Sequence, residues 1–198
     1  MVDVKKTEAN IEAQRPSSMH PKKFALWLFM VTVVMLFAAF TSAYLVRRDA
    51  GDWLIFQLPS YLLGSTIIIL ISSATMHLAY LAAKKDNFTT LKLYTALTFV
   101  LGITFLVMQV MAWGNLVEQG VYLGGATSNP AGSFVYVFTI LHGVHLISGI
   151  FCMIWVLVRS FQSKIHSKKM LTMDLCATYW HFLGLLWVYL YVFLLINN

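Results

Sequence analysis

With 198 residues, 59% of them hydrophobic and 11% charged, the chain has too few polar side chains to cover a soluble fold. Its net charge of +6 would suit an anionic partner, but the basic residues gather at the ends of apolar stretches. That pattern fits lipid headgroups and excludes a nucleic-acid footprint.

Residues 1–20 are polar and mixed in charge, and read as a cytoplasmic tail closed by Pro16 and Pro21. Five stretches then follow at residues 24–46, 61–83, 94–117, 133–158 and 175–196, none containing Asp, Glu, Lys or Arg. Each is long enough for a membrane-spanning helix, since roughly 20 residues rising about 1.5 Å each cross the hydrocarbon core. The sequence therefore predicts an all-α membrane domain over 21–198, a bundle of five transmembrane helices.

The first stretch carries Ala38, Ala39, Ser42 and Ala43, small residues suited to close helix approach. Trp53 and Tyr61 fit an aromatic belt at the headgroups, and Pro59 breaks the chain before the second stretch. The short link 84–92 predicts that stretches two and three are antiparallel neighbours. The loop 118–132 is rich in Gly and free of Lys and Arg, as an extracytoplasmic loop should be. Gly143 and Gly149 leave room for a neighbouring helix or a lipid chain. Aromatics spread around every face of the fifth stretch fit helix packing and lipid contact.

Charge sets the orientation. Lys5, Lys6, Arg15, Lys22, Lys23, Lys84, Lys85, Lys92, Arg159, Lys164, Lys168 and Lys169 fall on one side, and only Arg47 and Arg48 on the other. The positive-inside rule then predicts a cytoplasmic N-terminus and an extracytoplasmic C-terminus. No short apolar core with a cleavage site precedes Phe24, so the first span is expected to be an uncleaved anchor. Cys152 and Cys176, at different depths in two spans, read as small apolar residues and not as a disulfide.

Four histidines lie within the spans: His77, His142, His145 and His181. His142 and His145 are three apart and share one helix face. A metal site wants more ligands, often with supporting carboxylates, and the spans offer none. A bis-histidine haem would need facing residues at matching depth. His77 and His181 each lie six residues from the predicted cytoplasmic end, about 9 Å deep. Histidines hydrogen-bonded between helices are the favoured reading. Proton relays and voltage sensors place ionisable groups at membrane depth, and the lack of them here describes a passive partner in a complex. A small transporter would need broken helices or charge at the midplane, and a haem-binding electron carrier would need the ligand set above.

The fourth span runs from Phe138 through His142, Gly143 and His145 to Gly149, and the fifth contains Tyr179, Trp180, His181 and Phe182 followed by Trp187. These segments, with Ser72 and Ser73 in the second span and Gly102, Phe105 and Gln109 in the third, resemble subunit III of the haem-copper respiratory oxidases. The resemblance covers about residues 21–196. It implies an accessory subunit without haem or copper of its own, those cofactors lying in partner subunits I and II. Such a subunit packs on subunit I, holds phospholipids between its helices, and supports proton uptake and durable turnover. A subunit IV and a larger respiratory supercomplex are further partners it implies. Cytochrome c is the expected electron donor of the complex, with a quinol as the alternative. The five-helix form implies a bacterial plasma membrane. Three family carboxylates are replaced, by Val33, Ala112 and Gly184.

Overall fold

The computed structural model describes residues 20–51, 53–125, 128–161 and 170–197. Most of the expected polar tail and the basic residues Lys164, Lys168 and Lys169 lie outside the described residues. Five helices follow in order: α1 Pro21–Asp49, α2 Ser60–Lys84, α3 Phe88–Glu118, α4 Pro130–Phe161 and α5 Leu171–Asn197. They are 29, 25, 31, 32 and 27 residues long and apolar enough to cross a membrane.

Each helix runs past the apolar stretch it contains. Apolarity marks the hydrocarbon core, whereas helix ends are set by caps that satisfy the free N–H groups. Asn87 accepts from Thr90 N at 3.2 Å and so starts α3 well ahead of Tyr94. Asn129 Oδ1 accepts from Ala131 N at 2.9 Å at the start of α4. Pro21 leads α1, where its missing N–H costs nothing. Between α2 and α3 the chain reverses through Lys85, Asp86 and Asn87, with Asp86 in the left-handed region at φ 52°.

Burial follows one stripe per helix. On α3 it is Leu91, Thr95, Thr98, Gly102, Phe105, Gln109, Ala112 and Leu116, alternating steps of four and three. A stripe of that period keeps one face on a partner helix over the whole length. The α2–α3 hairpin forms the most extensive interface, α5 packs on α2, and α4 closes the ring against α3 and α5. α1 stands outside that ring and touches only α4 and α5. Only 22% of its apolar window is buried, against 44% for α2 and α5. Its small residues Ala38, Ala39, Ser42 and Ala43 are all exposed, so the close approach they permit is not used by another helix of this chain.

Candidate functional site

α5 is fastened to α2 at successive levels. His181 Nδ1 and Ser73 Oγ share a hydrogen bond of 2.5 Å, Trp180 donates its indole N–H to Ser72 Oγ at 3.1 Å, and Trp187 donates to Thr66 Oγ1 at 3.0 Å. α3 joins α2 through Gln109 Nε2, which donates to Ser65 Oγ at 2.9 Å. It joins α4 through Trp113 Nε1, which donates to Thr139 Oγ1 at 2.9 Å. In hydrocarbon, neutral bonds of this kind position helices without the cost of burying charge.

Glycines let the large rings sit between helices. A Cβ on Gly102 would come within 2.8 Å of Trp180 Cη2, and one on Gly149 within 2.9 Å of Leu183 Cδ1 and 3.3 Å of Trp180 Cε3. Gly149 thus has the close neighbour its sequence position predicts. Gly143 has open space beside it, with nothing within 4 Å of its would-be Cβ, so no helix of this chain uses the room it leaves. Phe182 is partly buried and packs between the two hydrophobic clusters of the bundle.

The histidines separate by environment. His142 and His145 are sequence neighbours on α4, yet they serve different interfaces. His142 is fully buried between Phe105 of α3 and Trp187 of α5, with ring centroids 5.8 and 5.0 Å away. His145 faces Phe29 and Phe37 of α1, and its Nδ1 lies 2.7 Å from Leu141 O within its own helix. Its backbone carbonyl accepts from Tyr179 OH at 3.2 Å, and the same hydroxyl pairs with Ser148 at 2.7 Å. His77 and His181 meet across the α2–α5 seam, centroids 6.0 Å apart, with Tyr80 stacked on His77. α2 and α5 are in direct contact along this seam, with His77 on its exposed side and His181 half-buried. Among the described residues, no three His, Cys, Asp or Glu side chains converge as a metal site would require.

Val33, Ala112 and Gly184, the positions at which the resemblance led to an expectation of acids, are all buried. Val33 packs with Phe37, Tyr44 and Phe138, and Ala112 lies in the main core. Among the described residues, no Asp, Glu, Lys or Arg is buried.

A groove of about 680 Å³ opens where α1, α4 and α5 meet. Leu26, Phe29, Phe151 and Trp155 give it apolar walls, and Lys22 and Arg159 stand at its mouth. The Arg159 guanidinium rests 5.1 Å over the Trp155 ring. Both cysteines line the groove as free thiols, and Cys152 is exposed, not enclosed as its span position suggests. Beside it, at the headgroup end of α1, Lys23 forms an ion pair with Asp174 of α5. The hydrogen bond and charge of Asp174 hold the Lys23 ammonium above its ordinary range.

Sequence reading missed the partners that complete these contacts, Ser65, Thr66 and Thr139, together with the Thr75–Thr98 hydroxyl bond of 2.9 Å between α2 and α3 and the Lys22–Arg159 mouth. The hydroxyls had a signal, because Ser65, Ser72, Thr75 and Thr98 all fall on the buried stripes of α2 and α3. The groove had none, since it needs three helices that are distant in sequence. Trp53, expected at the headgroups, packs edge-on against Tyr44 near the outer end of α1, with ring centroids 4.7 Å apart.

A multi-pass helical bundle, closed by neutral interhelical bonds and free of buried charge among its described residues, is the class of protein these features define. The family model for Cytochrome c oxidase subunit III matches residues 55–197. The chain is 31% identical to cytochrome bo(3) ubiquinol oxidase subunit 3 of Pseudomonas aeruginosa, covering 83% of this chain and 79% of that protein. It is 27% identical to the subunit of the same name from Buchnera aphidicola, over 89% and 94% of the two chains. It is also 28% identical to cytochrome c oxidase subunit 3 of Alkalihalophilus pseudofirmus, over 86% and 84%. The chain belongs to the cytochrome c oxidase subunit III family.

Proposed function

We propose that this chain serves as the accessory subunit III of a proton-pumping haem-copper terminal oxidase in a bacterial plasma membrane, with its N-terminus cytoplasmic. It packs on subunit I of a complex whose haems and copper reside in subunits I and II, and it contributes no redox centre of its own. Subunit IV and a respiratory supercomplex are further partners in this reading. The observation that carries it is the interior: helices joined by Ser, Thr, Gln, Trp and His contacts, with no Asp, Glu, Lys or Arg buried among the described residues. A bundle built this way is suited to shielding and lipid contact, and any effect on proton uptake must act through surface groups, water or lipid.

The groove between α1, α4 and α5 supports the lipid half of the reading. An acyl chain fits its apolar walls, and a headgroup phosphate fits between the cations of Lys22 and Arg159. Cytochrome c is the proposed donor of the complex. The likeness to two ubiquinol oxidase subunits keeps the quinol alternative as a second reading.

The test is oxygen consumption by the purified complex with and without this chain. Haem content and initial rate should stay largely intact, while activity decays faster over successive turnovers. An immediate collapse of the initial rate at unchanged haem content would overturn the assignment.

A further inference from the structure

His142 and Gln109 are sealed inside the bundle, at 0% and 2% exposure. Gln109 spends its amide N–H on Ser65. Its Oε1 and both ring nitrogens of His142 have no hydrogen-bond partner among the protein atoms. Buried polar atoms in folded proteins almost always have a partner, and where protein supplies none, an ordered water does.

The two residues also lie at nearby levels. α3 and α4 run antiparallel, since Trp113 of α3 meets Thr139 of α4 while Phe105 meets His142. From the Trp113–Thr139 bond, Gln109 lies four residues back along α3 and His142 three residues on along α4. At the helical rise the Trp113–Thr139 contact puts the two within about 1.5 Å of the same height and the Phe105–His142 contact within about 6 Å, a span that two long side chains and one water between them can cover. Both belong to the inward stripes of their helices.

The chemistry then selects the ligand. An amide oxygen only accepts, whereas a neutral imidazole has one donor and one acceptor nitrogen. Water donates to Oε1 with one O–H and can either accept from the imidazole N–H or donate to its bare nitrogen. It therefore serves the ring nitrogen that faces Gln109 in either tautomer. No ion fits as well, because the surroundings are the rings of Phe105 and Trp187 with no charged side chain.

We propose that an ordered internal water bridges Gln109 Oε1 and a ring nitrogen of His142, extending the Ser65–Gln109 bond of α2 and α3 across to α4. The rival is a dry layer in which the His142 N–H points onto the face of Phe105 or Trp187.

An electron cryo-microscopy map of the assembled oxidase complex, at a resolution that shows ordered waters, tests this. A peak within hydrogen-bond distance of both Gln109 Oε1 and a His142 nitrogen is expected. In a His142→Phe complex, which keeps the ring volume, that peak should be gone. No peak in the native complex, a protein atom bonded to His142 in its place, or a peak that persists unchanged in His142→Phe would each overturn the proposal. The native map decides the question even if the variant fails to assemble.

Discussion

Trp180 donates its indole N–H to Ser72 Oγ at 3.1 Å, joining α5 to α2 between two side chains that are 1% and 0% exposed. The same indole fills the space left by Gly102 on α3 and Gly149 on α4. One side chain thus ties together all four helices of the ring, by a hydrogen bond on one side and by shape on two others.

Removing the acceptor with Ser72→Ala leaves a buried N–H unpaired. Interhelical bonds in membranes average about 0.6 kcal/mol and reach about 1.7, so a loss in that range is expected. It should appear as a small fall in the temperature at which the subunit leaves the detergent-solubilised complex. A fall no larger than that of Ile71→Leu, on the exposed face of α2, would deny the bond any role.

The glycines should divide by what a methyl group would meet. Gly102→Ala forces carbon against the rigid ring of Trp180 at 2.8 Å, whereas Gly184→Ala makes an ordinary 3.8 Å contact with Ile69 Cγ1. Overpacking a filled core costs about 1–3 kcal/mol. Gly102→Ala should therefore lower subunit retention while Gly184→Ala leaves it unchanged, compared by yield in co-purification.

His181→Ala and Trp187→Ala each remove one of the bonds that fasten α5 to α2, to Ser73 and Thr66. Either variant alone should weaken association with the complex without abolishing it, and the double variant should weaken it further. Trp187→Ala should cost more of the two, because it also empties a buried ring volume. Full co-purification yield for the double variant would count against a packing role for these residues.

The Lys23–Asp174 pair clips the start of α1 to α5, but its side chains are 42% and 29% exposed. Exposed pairs contribute little and are screened by salt, so Lys23→Ala should leave complex yield at neutral pH nearly unchanged. The pH dependence has a definite sign. Asp174 raises the Lys23 pKa above the ordinary lysine value of 10.5, so the contribution of the lysine is complete below that pH and is lost as the pH rises through the raised value. Proteolysis near the start of α1 should therefore be flat across neutral pH and increase only in strong alkali. A rise between pH 7 and 9 would show that another group controls the clip.

Orientation is testable apart from packing. With the N-terminus inside, a reporter active only in the cytoplasm should be silent when fused after Asn198 and active when fused in the link between α2 and α3. The reverse pattern would overturn the reading drawn from the basic residues.

Composition and spacing alone determined the number of helices, because a backbone in hydrocarbon must satisfy its own hydrogen bonds and an uncharged run of sufficient length has little choice but helix. The family was legible for a related reason: His142, His145, Trp180, His181 and Trp187 stand at fixed intervals along single helices, where sequence distance is spatial distance. Helix ends were less legible, since caps such as Asn87 and Asn129 lie in polar segments that apolarity does not mark. What only the tertiary structure decided is which faces meet. His142 and His145 are neighbours in sequence, yet one turns into the α3–α5 core and the other toward α1. His77 and His181, far apart in sequence, are brought together. Every side of a span in lipid can be apolar, so hydrophobicity no longer tells inside from outside as it does in water. The small residues of α1 face outward while Gly102 and Gly149 face a tryptophan, and that difference comes from the packing of four helices around one indole.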